Sequence, residues 1–154
     1  MLILVFGAGQ EQYGLEAGKV IEVIPSVPLR GIPHAPCFVA GLLNYRGRIL
    51  PVIDLLQMIE GRPSKEFLST RVIIVDCAAD GARPRLVGLR AEHVTETLRV
   101  EESDLVDSSV RVREAPYVGK VLRSRRGMIL QVHPEKLVAE RLLDELLVAP
   151  GEGR

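Results

Sequence analysis

Side chains that could do chemistry are few and scattered. His34, His93 and His133 stand far apart in the chain. None belongs to a ligand pattern such as H-E-x-x-H, which sets two imidazoles on one helix face to hold a metal. His34 lies in a proline-rich stretch and His93 follows Glu92 beside an apolar run, so both are expected in solvent, and His133-Pro134 marks a junction. Cys37 and Cys77 sit in apolar surroundings. They are too few for a disulfide framework, lack metal-site spacing, and are expected as small buried thiols in a reducing compartment. Asp54 ends an apolar run, where a carboxylate could act as a general base. An Asp directly before Leu55 more simply accepts the unpaired amides of a helix start. No G-x-S-x-G, Walker loop or dinucleotide fingerprint occurs. The chain therefore offers neither a nucleophile with a base nor a phosphate cradle, and no cofactor or metal is expected.

One polar turn stands out, Asn44-Tyr45-Arg46-Gly47, between apolar runs. Asn tolerates tight turns and Gly takes positive φ without steric cost, so an ordinary hairpin explains it. Arg46 and Arg48 straddle the glycine, however, and an Arg fork makes directional, bidentate contacts to carboxylates. Turns held by rigid strands commonly carry binding residues. From the residues alone the two readings are equally good.

The elements that would hold such a turn are short. Leu2–Phe6, Gly41–Tyr45, Ile49–Asp54, Val72–Cys77, Leu86–Leu89, Val118–Leu122 and Met128–Val132 read as strands, punctuated by Gly-containing turns. Several lack polar alternation and are expected to be buried on both faces, with Val52, Ile53, Ile73, Ile74 and Val132 in the core. Pro25–Pro36 holds four prolines and cannot be a central strand. Arg99–Ala115 reads as a long surface connection. From Pro134 to Val148, apolar residues recur at helical spacing and predict one amphipathic helix.

The chain also repeats itself. Gly14-Leu15-Glu16-Ala17 through Ile24 matches Gly88-Leu89-Arg90-Ala91 through Leu98, with Gly, Leu, Ala, Val and Glu in the same order and spacing. Arg46-Gly47-Arg48-Ile49-Leu50-Pro51-Val52 matches Arg126-Gly127-Met128-Ile129-Leu130-Gln131-Val132 at five of seven positions. The two matches lie 74 and 80 residues apart. A duplicated half-domain, each half the size of a small β-barrel, accounts for both.

Composition narrows the function. The chain has 154 residues, about one domain. Lys+Arg and Asp+Glu both number 20, so formal net charge is zero, and only 4% of residues are aromatic, with no Trp. A small-barrel nucleic-acid-binding protein is the alternative from fold class, but it lacks the cationic surface and the stacking rings such binding uses. A hydrolase built on Asp54 and a histidine has nothing convergent behind it. The first apolar run is well short of the ~18 residues of a membrane span, and no basic segment precedes it, so a soluble cytoplasmic protein is expected.

The residues resemble the CheW-type coupling proteins of bacterial chemoreceptor arrays, from Leu2 to about Leu147. The most specific stretch, Gly41-Leu42-Leu43-Asn44-Tyr45-Arg46-Gly47-Arg48-Ile49-Leu50-Pro51-Val52-Ile53-Asp54-Leu55, is similar to the family's G-x-x-N-x-R-G-x-x-x-P-V-x-D-L signature at every fixed position. Tyr13-Gly14-Leu15, a Val20-Ile21-Glu22-Val23 strand, Ile32-Pro33-His34-Ala35-Pro36 and Gly88 to Val94 support it, with Glu92 where the family has Asp. Tyr45 stands where an aliphatic residue is commoner, and Arg90 lies in a stretch that is usually apolar.

The resemblance implies a mainly β fold of two SH3-like five-stranded barrels packed side by side, plus a C-terminal α-helix. That would make residues 1–149 one CheW-like domain, with subdomains of about 1–68 and 69–132 that can exchange strands. The helix would span about 134–148 and a disordered tail 150–154. It further implies a non-catalytic adaptor that binds the cytoplasmic tip of a chemoreceptor and the regulatory domain of a CheA-type histidine kinase. Such a protein is recruited to membrane-associated arrays without inserting in the membrane, and it binds no nucleic acid. Val20, Glu22, Asn44, Arg46 and Gly47 fall at the family's receptor contact, while Gly41, Pro51 and Asp54 look structural.

Overall fold

The computed structural model describes residues 1–8, 10–78, 81–125 and 127–137. Along the chain run β1 (Leu2–Ala8), β2 (Glu11–Glu16), β3 (Val20–Pro25), β4 (Val39–Tyr45), β5 (Arg48–Asp54), the helix α1 (Leu55–Glu60), β6 (Arg71–Asp76), β7 (Leu86–Arg99), β8 (Leu105–Val106), β9 (Val118–Ser124) and β10 (Gly127–Val132). Every expected strand is present. The surprises are β2, β8 and the length of β7, whose second half reads as half-polar because its residues alternate between half-buried and exposed.

The long β7 belongs to two units. Its first half pairs with β6 and, in parallel, with β5, giving the strand order β4-β5-β7-β6-β3. Its second half pairs with β1, giving β7-β1-β2-β10-β9-β8. Both units draw strands from either side of residue 68. Among the described residues no ladder joins β3 to β4, or β8 to β7, so neither unit closes through backbone hydrogen bonds.

The side chains sort by strand face, as the period of two requires. Val72 and Ile74 of β6 fill the first unit with Leu43, Leu50 and Val52. Ile3 and Val5 of β1 fill the second with Leu122 and Ile129. The opposite faces of the same strands, Ile73 and Val75 with Leu4 and Phe6, meet in a shared seam that also takes Leu15, Ile53, Leu89 and Val132. Val52, Ile53, Ile73 and Ile74 are fully buried and Val132 is 1% exposed. A strand with a core on each side has no wet face, which is why these runs lack polar alternation.

The duplication shows in the registers. Gly14 of β2 lies opposite Val5 and, in parallel, Gln131; Gly88 of β7 lies opposite Ile74 and Val52. A Cβ on Gly14 would come within 2.5 Å of Ile3, and one on Gly88 within 2.9 Å of Val52 and Val72, so both positions need glycine for close approach. Gly47 and Gly127 are not counterparts. Gly47 lies in the turn between Tyr45 and Arg48, whereas Gly127 already pairs with Ser124. The core pairs Leu43–Leu50 and Leu122–Ile129 put the hairpins 79 residues apart, one fewer than the Arg-Gly match suggests.

Two other expectations change. Cys77 is buried, but Cys37 is exposed, because the proline-rich segment before β4 runs over the surface. At the C-terminus Pro134–Lys136 form a single 3-10 turn; the helix expected to 148 and the tail of 150–154 lie outside the described residues beyond Leu137.

Candidate functional site

The signature residues build a hairpin tip. Tyr45 pairs with Arg48, leaving Arg46 and Gly47 as a two-residue turn with φ of 51° and 85°. Positive φ at both positions is the type I′ geometry that matches strand twist. Glycine takes it freely; Arg46, a non-glycine residue there, is strained. The Gly47 amide donates to Asn44 Oδ1 at 3.0 Å, which fixes the turn and assigns Asn44 its role.

Across the open side of the first unit stands β3. Its Glu22 receives two hydrogen bonds on the same oxygen, Oε1: the Tyr45 hydroxyl donates at 2.6 Å and Arg46 Nη2 at 2.9 Å. Because β3 and β4 are the two ends of this sheet, the three side chains clasp it where the backbone does not. The Tyr45 hydrogen bond, with help from Arg46, holds the Glu22 carboxyl below its usual range, and the same bond raises the Tyr45 phenol. Arg46 remains 73% exposed and Glu22 36%. Along β3 and β5, Ile49 is 60% exposed, Ile21 50% and Val23 39%. Val20, at the start of β3, is half-buried against the seam.

The remaining signature residues sit beneath. Gly41 has φ of 150°, and a Cβ there would lie 2.7 Å from the Arg30 carbonyl, to which the Leu42 amide donates at 2.7 Å. Pro51 faces Leu42, whose amide and carbonyl both bond to Arg30. An N–H at Pro51 would thus point away from β4, and the parallel ladder to β7 begins one residue later, so the missing donor leaves no gap. Asp54 is 4% exposed and caps α1, accepting from the Leu56 and Gln57 amides at 3.1 and 3.3 Å. It also accepts from the Ser64 amide at 2.8 Å and the Ser64 hydroxyl at 2.7 Å. None of its bonds goes to a histidine, and its lone pairs are already engaged.

Sequence reasoning missed two features. One is the Tyr45 hydroxyl as a partner of Glu22. The other is Glu92, 1% exposed, which accepts from Arg62 at 3.1 and 3.4 Å and from the Lys65 amide at 2.6 Å. Its sequence signal was its place where the family has Asp, which gave no partner. Glu92 and Asp54 together pin the loop from Gly61 to Thr70.

The seam between the units is filled by side chains. A shallow depression of about 350 Å³ lies over Ser26, Val27, Leu29, Ala40, Glu66 and Arg90. Among the described residues no three His, Cys, Asp or Glu side chains are grouped to hold a metal, and no helix is long and apolar enough to cross a membrane.

The CheW-like domain model matches residues 2–142. The chain is 23% identical over 141 residues to a probable chemotaxis protein CheW of Rhizobium etli, covering 90% of this chain and 87% of that one. It is 26% identical to the chemotaxis protein CheW of Treponema pallidum, covering 94% and 85%. The crystal structure of the scaffolding protein TtCheW from Thermoanaerobacter tengcongensis superposes with a TM-score of 0.76 at 30% identity, covering 88% of this chain and 86% of that one. The two open units, of five and six strands with β7 in both, are thus the paired SH3-like barrels of that fold, and the nucleic-acid alternative finds no support. The chain belongs to the CheW-like domain family and is a coupling adaptor of chemotaxis signalling.

Proposed function

We propose that this adaptor joins the cytoplasmic tip of a chemoreceptor to the regulatory domain of a CheA-type histidine kinase, with no catalytic activity of its own. It would work in the cytoplasm, at membrane-associated receptor arrays. In this reading Val20, Glu22, Asn44, Arg46 and Gly47 form or shape the receptor contact, and Gly41, Pro51 and Asp54 hold it in place.

The observation that carries the reading is the state of Arg46. Its side chain is 73% exposed at the tip of a hairpin whose turn is fixed by Asn44 and whose flank is held by Glu22. Ile21, Val23 and Ile49 are exposed apolar residues on the strands β3 and β5 that carry the clasp and the hairpin. A helical receptor tip, with apolar ridges flanked by charges, is the complementary surface. Hot spots of this kind combine an Arg anchor with apolar contact.

The test is a titration of wild type and Arg46→Ala against the cognate receptor's cytoplasmic fragment, with circular dichroism to check folding. Losing one charge-assisted bond should weaken binding roughly ten- to hundredfold. A folded variant that binds normally would remove the site; one that fails to fold would leave Arg46 as a brace.

A further inference from the structure

Glu22 divides its attention unequally. Both of its partners end on Oε1, but the Tyr45 bond, at 2.6 Å, is the shorter and lies in the range of a charge-assisted O–H···O bond. Tyr45 is half-buried against the first unit's core, whereas Arg46 is mostly in water. The Arg46 guanidinium carbon also lies 5.4 Å from the centre of the Tyr45 ring, close enough for cation–π attraction. Phenol and carboxylate therefore form the fixed part of the clasp, and the guanidinium the removable part.

Were Arg46 the sole partner of Glu22, a carboxylate on a binding partner could recruit it only by leaving Glu22, 36% exposed, to water. We propose that Tyr45 is a positioning residue that keeps Glu22 hydrogen-bonded while Arg46 leaves it for a carboxylate of the partner protein. This deepens, and rests on, the receptor-contact reading of Arg46. It also specifies the partner's chemistry: an acidic side chain that meets the exposed Arg46 side chain. An aliphatic residue at position 45 would leave Arg46 bound to Glu22 and make its release costlier.

Titrations against the receptor's cytoplasmic fragment separate the possibilities. Tyr45→Phe should fold normally and bind about three- to tenfold more weakly, the effect of one hydrogen bond lost from the exchange. Adding Glu22→Gln to Tyr45→Phe should bind more tightly than Tyr45→Phe alone, because no carboxylate then holds Arg46. A clasp that serves only as a brace predicts the reverse, with the double variant no better than Tyr45→Phe. A second readout needs no partner: the Tyr45 phenol, raised by its bond to Glu22, should ionise at lower pH in Glu22→Gln when followed by ultraviolet absorbance. Normal binding by Tyr45→Phe, alongside a weakened Arg46→Ala, would overturn the exchange and spare the receptor contact. Normal binding by Arg46→Ala would overturn both.

Discussion

Val5 and Ile74 occupy the same place in the two halves of the molecule. Val5 lies between Gly14 on β2 and Glu96 on β7; Ile74 lies between Gly88 on β7 and Glu22 on β3. Gly14 and Gly88, and likewise Glu22 and Glu96, are the positions that match 74 residues apart in the sequence. Each apolar side chain therefore fills its own unit at an equivalent point. Ile74→Ala should destabilise the protein by ~2–5 kcal/mol, transfer and cavity together. Urea unfolding would show the loss, and an unmoved midpoint would contradict the placement.

Asp54 anchors both α1 and the loop after it, through two amides and Ser64. Asp54→Ala removes a helix cap, worth ~0.5–2 kcal/mol, and orphans the buried Ser64 donors at a further ~1–3 kcal/mol. Chemical denaturation should therefore show a loss above ~1 kcal/mol, well clear of a surface substitution. Near-wild-type stability would mean the cap is dispensable.

Glu92 predicts a pH dependence. Burial acts to raise its carboxyl, but the Arg62 hydrogen bond and the Lys65 amide outweigh it and hold the folded-state pKa below the ordinary value. Stability from this group is then fully present above the unfolded-state pKa of ~4.3 and is lost as pH falls through the lower folded value. Glu92→Gln should lower stability at pH 7, and the gap to wild type should narrow as both are acidified below pH ~4. A gap that stays constant from neutral to acid pH would show that the carboxylate's charge is not what matters.

How much of this could be read in advance depended on range. The doubly buried strands were legible because an apolar run such as Val72–Val75 has only one explanation, a core on each side. The strand β2 was not, since Glu11-Gln12-Tyr13-Gly14-Leu15-Glu16 carries polar ends and a glycine, and Tyr13, Gly14 and Leu15 are buried only because β1 and β10 flank them. The turn was legible from Asn44 and Gly47, whose chemistry is local. Its clasp was not, because Glu22 and Tyr45 meet across the open side of a sheet, 23 residues apart. The one-residue error between Gly47 and Gly127 has the same root. Matching Arg-Gly dipeptides align the turns, while packing aligns Leu43 with Leu122 and Leu50 with Ile129.

Coupling is the central claim, and it is measured most directly by reconstitution. The receptor's cytoplasmic fragment is immobilised and the cognate kinase is passed over it with and without this protein. Retention of kinase should rise with added protein and saturate, because one adaptor holds both partners at once. Kinase retained to the same extent without the adaptor, or not retained with it, would contradict the account.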